Sequence, residues 1–456
     1  KVTVSAPGKV LLAGGYLVLE APNAGFVVAA DKRFYTSVRS GGGSSDDTTS
    51  TDKKDDDKNK IIIRVDSPQF HSTWNYKYDK SNRRLIPSSD NESVNPFVEK
   101  TLRVCLIYLL SSSQQQQQQC DITSLKILIR ADNDFYSVLP HLPSTNNRTP
   151  ADVAALPCFL PCPKHPDTGK AVVHKTGLGS SAALTTSLVG ALIHYFRRSH
   201  QQQQHEEEQK SSSSSSSSLS AIIHNLAQIC HCFAQGKVGS GFDVSAACHG
   251  THVYKRFPKC LLPDLLQQLD EYENYIESDK SKNHHQSLYE TLRSSVELVP
   301  WKEDMVEALK LPNDLQLILA DVRGGSESPS MARTVLKWKA EERNKNNENN
   351  NNEIPHWTTL SKLNPKIVES IPSEWSSDSP LTSLRNDFLQ IRNELRLMGE
   401  VAGVPIEPPP QQELCDATSK LPGVITALVP GAGGYDAVAC LYIDRPSVVE
   451  SIGELW

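Results

Sequence analysis

The sequence predicts an α+β fold rather than a doubly wound sheet. Strand and helix patterns alternate irregularly along the chain, no unit repeats, and four polar tracts dilute otherwise globular text. The length of 456 residues allows about two or three domains, and two suit a compact enzyme. Apolar residues make up only 38%, and the deficit is confined to the tracts 40–60, 111–119, 200–218 and 342–353. The rest of the chain can bury a sizeable core.

Composition removes several classes. A net charge of −6 leaves no overall basic footprint for nucleic acid. No apolar run approaches the ~18 residues of a membrane span, and the best, 102–110, is broken by Arg103. The opening VTVSAPGKVLL lacks the basic-then-apolar order of a secretory signal. The closing Glu-Leu-Trp matches neither a retrieval nor a prenylation signal. The 10 cysteines therefore read as free thiols in a reducing compartment, and a cytoplasmic protein is expected.

The elements follow in order. Residues 2–4 and 10–12 read as short strands around a Ser-Ala-Pro-Gly-Lys turn at 5–9. Residues 26–38 alternate as a strand does, and 61–65 form another. The tract 40–60 between them is too polar to pack and reads as a disordered loop inserted in a hairpin. Helical spacing covers 96–110, and 125–130 is a strand by apolar content. Residues 180–198 are apolar on nearly all sides, which predicts a buried helix, with a second helix at 219–235. A buried strand at 315–322, a helix at 384–398 and strands at 424–429 and 437–443 complete the chain.

Four segments carry chemistry. KTGLGSSAA at 175–183 sets two glycines and two serines at the start of a helix. Free N–H groups and the positive dipole end there suit a phosphate, and a serine hydroxyl can ligate Mg²⁺. A helix cap without a ligand has the same text. The Walker pattern and the protein-kinase signatures are absent. SAPGK at 5–9, followed by Gly14-Gly15-Tyr16, places Lys9 where it could reach an anion, or simply at an exposed turn. PGAGGYD at 430–436 has more glycine than a plain turn needs, so it implies unusual backbone angles or close packing. AQGKVGSGFDVSA at 234–246 puts the carboxylate of Asp243 after a glycine-rich turn, as a positioning or proton-accepting group or as a cap.

In this order the four segments resemble the motifs of the GHMP small-molecule kinases. Galactokinase-like and mevalonate-kinase-like first motifs would continue Gly-Glu-His, whereas this chain reads LAGGYLVLE at 12–20. That text, with GKVGSGFDVSAACHG at 236–250, GGSESPSM at 324–331 and PGAGGYDAVACL at 430–441, resembles the eukaryotic phosphomevalonate kinase branch. The resemblance runs from residue 2 to about 443 and skips the polar tracts.

The resemblance implies a two-lobed fold, with an ATP-binding lobe at 1–258 and a ferredoxin-like lobe at 259–456. It implies transfer of the γ-phosphoryl group of ATP to 5-phosphomevalonate. Lys9 and Asp243 are the expected catalytic residues. Lys175, Gly177, Leu178, Gly179, Ser180, Ser181 and Ala182 are expected on the ATP phosphates, with Asn133 beside adenine. Ser180 or Ser181 is expected on Mg²⁺. Lys9, Tyr16, Lys237, Ser240, Arg323, Ser326, Ser328, Gly433 and Gly434 are expected on the substrate. The Mg²⁺-binding glutamate of mevalonate kinase has no counterpart in CHCFAQGK at 230–237. A zinc site around Cys230, His231 and Cys232 is disfavoured, because positions two apart on a helix do not face each other. Another member of the family, such as a mevalonate kinase, or a non-catalytic regulator on the same fold, remains the alternative. The text leaves monomer against homodimer open.

Overall fold

The computed structural model describes residues 1–41, 59–111, 122–143, 149–204, 216–274, 281–298, 301, 306–322, 328–348, 353–370, 381–435 and 437–456. Two sheets organise it. The first has eight strands: β1 (Val2–Ala13), β2 (Ala24–Ser40), β3 (Lys60–Ser67), β4 (Ser72–Asp79), β5 (Arg84–Pro87), β6 (Ser124–Ala131), β7 (His252–Lys255) and β8 (Val306–Ala308). Their order is β5-β4-β3-β6-β2-β7-β8, with β1 paired to β2. The second sheet holds β9 (Leu315–Asp321), β10 (Val424–Leu428) and β11 (Ala437–Ile443) in the antiparallel order β10-β11-β9.

The expected pair of strands about a turn at 5–9 is instead one strand. Val2 to Ala13 pair with β2 throughout, and a register shift between Pro7 and Lys9 absorbs the Pro-Gly step. A bulge tolerates the missing proline N–H, so the strand need not break. The expected hairpin across 40–60 is also replaced, because β6 lies between β2 and β3, antiparallel to one and parallel to the other. The disorder expected there falls largely outside the described residues.

Helices α1 (Pro96–Leu110), α2 (Pro150–Ala154), α3 (Ser180–Gln204), α4 (Ser216–Gln235), α5 (Phe242–His249), α6 (Pro263–Asn274) and α7 (Ser281–Arg293) follow in chain order. Helix α1 is capped by Asn95, whose side chain accepts from Phe97 N and Val98 N. Helix α3 packs on β1 and β2, and α1 and α4 pack on α3. This central position explains its near-uniform apolar face: Ala183, Leu188, Val189 and Leu192 are fully buried.

The chain does not leave the first sheet at Pro258. Strand β8 hydrogen-bonds to β7, and Asn225 Nδ2 donates to Val296 O at 3.0 Å. These pairings cross position 258, and the described parts of 259–308 adjoin the first sheet and its helices.

The remaining helices are α8 (Ser328–Glu348), α9 (Trp357–Ser370), α10 (Leu381–Ala402), α11 (Pro409–Ser419) and α12 (Pro446–Leu455). Helix α8 enters the polar tract at 342–353, whose Glu, Arg and Lys residues favour helix. Strand β11 is buried on both faces: Val438, Cys440 and Tyr442 meet α11 and α12, while Ala439 and Leu441 join the main core. The described cysteines are all free. Among the described residues no helix is long and apolar enough to cross a membrane.

Candidate active site

The four motif segments surround one cleft of about 1030 Å³. Its floor is Lys9 and the loop 177–181. Lys9 is held at both ends: its backbone N–H donates to Leu178 O at 2.9 Å, and its Nζ donates to Gly177 O at 2.8 Å. Nζ also lies 5.5 Å from the centre of the Phe242 ring. Gly179 has a φ of +77°, and a Cβ there would sit 3.1 Å from both Cγ and Cε of Lys9. Any larger residue would press on the Lys9 side chain. Helix α3 then opens at Ser180, so its first N–H groups face the cleft beside this cation. Leu178 and Ser181 also line the cleft. Ala182 does not, because it turns inward and is 1% exposed.

Beyond the loop stands a histidine that the sequence reading weighed only as a disfavoured zinc ligand. His231 is buried on α4, and its Nε2 is 3.1 Å from Ser181 Oγ, 3.3 Å from Gln235 Nε2 and 3.8 Å from Asp243 Oδ2. Burial holds this imidazole below its ordinary pKa, against the opposing charge of Asp243. Asp243 opens α5 and accepts from Val244 N at 3.0 Å. Its setting between two cysteines drew attention to metal ligation and otherwise reads as a plain buried helix face.

The first and third glycine-rich segments meet directly. Tyr16 Oη donates to Ala432 O at 2.5 Å, and Gly431 N donates to Leu11 O at 3.4 Å. Pro430, Gly431 and Ala432 line the cleft, but Gly433 and Gly434, expected on the substrate, do not. They serve packing: a Cβ on Gly433 would lie 2.1 Å from Ile406 O, and Gly434 N donates to that same oxygen at 2.8 Å. Asn133 is likewise not a cleft residue. Its amide donates to Pro157 O and accepts from Leu160 N, so it braces a loop. Phe135, Ser137, Leu139 and Pro140 form the wall where adenine contact was expected.

The cleft is rich in cations. Lys175, Lys237 and Ser240 line it, joined by Arg256, Lys259 and Arg333, which sequence reasoning missed. Arg256 is 6% exposed and donates to Leu19 O and Gly239 O, both at 2.5 Å, fixing the turn before Asp243. Desolvation, with Arg256 nearby, pulls the Lys259 ammonium below its usual value. Asp321 at the end of β9 also faces the cleft, and desolvation raises its carboxyl against a hydrogen bond from Ser137. Arg323 and Ser326 lie outside the described residues. Ser328 starts α8, and its side chain is outside the description.

A glycine-floored, lysine-braced helix start in a cation-rich cleft suits the transfer of a phosphoryl group between anions. No family model matches the chain. It is 33% identical to a phosphomevalonate kinase of Aspergillus fumigatus over 98% of this chain and 88% of that protein. It is 32% identical to a peroxisomal phosphomevalonate kinase of Arabidopsis thaliana, over 96% of this chain and 89% of that one. Its fold is similar to that of Streptococcus pneumoniae phosphomevalonate kinase in complex with phosphomevalonate and AMPPNP. That match has a TM-score of 0.56 at 13% identity and covers 100% of this chain and 96% of that one. With full-length relatives above 30% identity and the motif segments gathered at one cleft, the chain belongs to the phosphomevalonate kinase family of GHMP-fold enzymes.

Proposed function

We propose that the chain transfers the γ-phosphoryl group of ATP to the phosphate of 5-phosphomevalonate, giving 5-diphosphomevalonate and ADP on the route to isoprenoids and sterols. The observation that carries this reading is Lys9, clamped to Gly177 at the phosphate loop, in a cleft lined by further cations. A phosphomonoester has a second pKa of about 6, so the acceptor is largely ionised at neutral pH and needs no strong base. Repulsion between two polyanions is the barrier to offset. Lys9 supplies positive charge at the loop. Gly177, Gly179, Ser180 and Ser181 direct N–H groups and hydroxyls to the ATP phosphates, with Lys175 at the edge. Asp243 orients groups rather than removing a proton. Lys237, Ser240, Arg256, Lys259 and Arg333 suit the acceptor's phosphate and carboxylate, and Arg323, Ser326 and Ser328 extend that proposal. We place the reaction in the cytoplasm, although one relative is named peroxisomal.

The oxygen donors at the loop fit Mg²⁺. Ser181 and Asp243 flank His231, and Mg²⁺ takes few protein ligands when phosphates and water complete its shell. Among the described residues no cluster of three His, Cys, Asp or Glu side chains could form an all-protein cage. When bound, the ion neutralises charge on the transferring phosphates.

The test is ADP release from Mg²⁺-ATP with phosphomevalonate, mevalonate, diphosphomevalonate, galactose and homoserine in parallel. Turnover is expected with phosphomevalonate alone. Turnover with mevalonate but not phosphomevalonate would sink the reading.

A further inference from the structure

His231 stands at the junction of the two motifs that bound the reaction centre, yet no step above uses it. Its surroundings suit one hydrogen-bonding role. Gln235 Nε2, an amide nitrogen, lies 3.3 Å from His231 Nε2, which matches an acceptor Nε2 with the ring proton on Nδ1. Asp243 Oδ2, at 3.8 Å from Nε2, is beyond hydrogen-bond reach, as two lone-pair-bearing atoms should be. The third neighbour of Nε2 is Ser181 Oγ at 3.1 Å, closer than Gln235 Nε2 and so the nearer donor to the single lone pair of an acceptor nitrogen. The tilted Phe97 ring, 5.5 Å from the imidazole centre, limits the ring's rotation.

We propose that His231 is a positioning residue that takes the Ser181 hydroxyl proton in a hydrogen bond, so that the lone pairs of Ser181 Oγ face the cleft. A serine whose proton points inward presents only acceptor density outward, which suits a divalent cation carrying the ATP phosphates. A serine free to rotate would present its proton to that cation part of the time. The same ring spaces Ser181 from Asp243, so one buried side chain sets both walls of the centre. The part of this inference that concerns the cation rests on the phosphoryl-transfer reading; the hydrogen-bond direction does not.

The experiment uses the whole protein with Mn²⁺ and ADP as probe, and ¹⁵N-histidine spectra. The spectra should show His231 as the Nδ1–H tautomer; an Nε2–H tautomer overturns the proposal whatever the acceptor substrate proves to be. Electron paramagnetic titration should show Mn²⁺ in the ADP complex weakened roughly tenfold in both Ser181→Ala and His231→Leu, as loss of one ligand-orienting bond implies. The double variant should be no weaker than either single one, because both remove the same interaction. His231→Gln, whose amide oxygen can accept from Ser181, should recover most of the affinity and of kcat. Should His231→Leu fail to fold, His231→Gln, Ser181→Ala and the spectra still decide. Wild-type Mn²⁺ affinity in Ser181→Ala and His231→Leu, or strictly additive losses, would overturn the role.

Discussion

The ammonium of Lys9 donates to the carbonyl oxygen of Gly177 at 2.8 Å, binding the first strand of the molecule to a loop 168 positions later. This bond places a positive charge on the floor of the cleft. For an acceptor that is already an anion, that charge should matter more than a base. Lys9→Ala is expected to lower kcat by roughly 100-fold or more, the scale of losing one charge-stabilising donor. Asp243→Asn, which keeps the shape of the side chain, should cost less. Steady-state kinetics of both variants with phosphomevalonate decide it; near-normal turnover in Lys9→Ala beside a dead Asp243→Asn would refute the ordering.

Arg392 and Glu407 form a buried bidentate pair, 5% and 7% exposed, with bonds of 2.7 and 3.1 Å, and Asp416 adds a third at 2.9 Å. Glu407 follows Ile406, whose carbonyl receives Gly434 N. Removing the guanidinium leaves Glu407 buried and unpaired. Arg392→Ala should therefore lose about 3–5 kcal/mol in urea unfolding. Arg392→Ala unfolding at the wild-type urea concentration would show that the pair holds nothing.

Tyr16 is 3% exposed, and its hydroxyl joins the first motif to the third through Ala432. Tyr16→Phe keeps the ring and removes one donor. A stability loss of about 1–2 kcal/mol is expected, the cost of leaving a carbonyl unpaired. KM for the acceptor should rise as the 430–432 wall loosens. Equal stability and equal KM in the variant would remove Tyr16 from the account.

Two buried histidines make stability fall in acid. Burial first, then the neighbouring His249, lowers His224 to about 3, and burial lowers His252 to about 4. Both folded values lie below the unfolded value of about 6.5, so the unfolded chain binds more protons between these limits. Their contribution is present above about pH 6.5 and is lost as pH falls, by roughly 1.4 kcal/mol per unit per histidine. Urea midpoints at pH 7 and pH 5 should differ markedly, and His224→Asn should reduce the difference. A midpoint independent of pH across this range would contradict it.

Much of this was legible in the text. Helix 96–110 and the buried start at Ser180 followed from apolar spacing, and Lys9, Ser181 and Asp243 came from motif order. What was missed depends on contacts between distant segments. The strand β6 inserted between β2 and β3 cannot be read from either flank, since pairing partners leave no local mark. Gly433 and Gly434 read as ligand contacts because glycine signals close approach, and in the structure both meet the Ile406 backbone. Arg256, Lys259 and Arg333 are ordinary cations in ordinary segments until folding turns them into one cleft.

Phosphorus NMR of the product tests the central claim most directly. After incubation of the protein with Mg²⁺-ATP and phosphomevalonate, a pair of coupled phosphorus signals distinct from the pair of ADP is expected, with loss of the monoester resonance. Such a second pair requires a P–O–P bond on the acceptor and identifies a phosphate oxygen as the site of transfer. A second uncoupled monoester signal, with the original one retained, would mean that a hydroxyl was phosphorylated and would contradict the account.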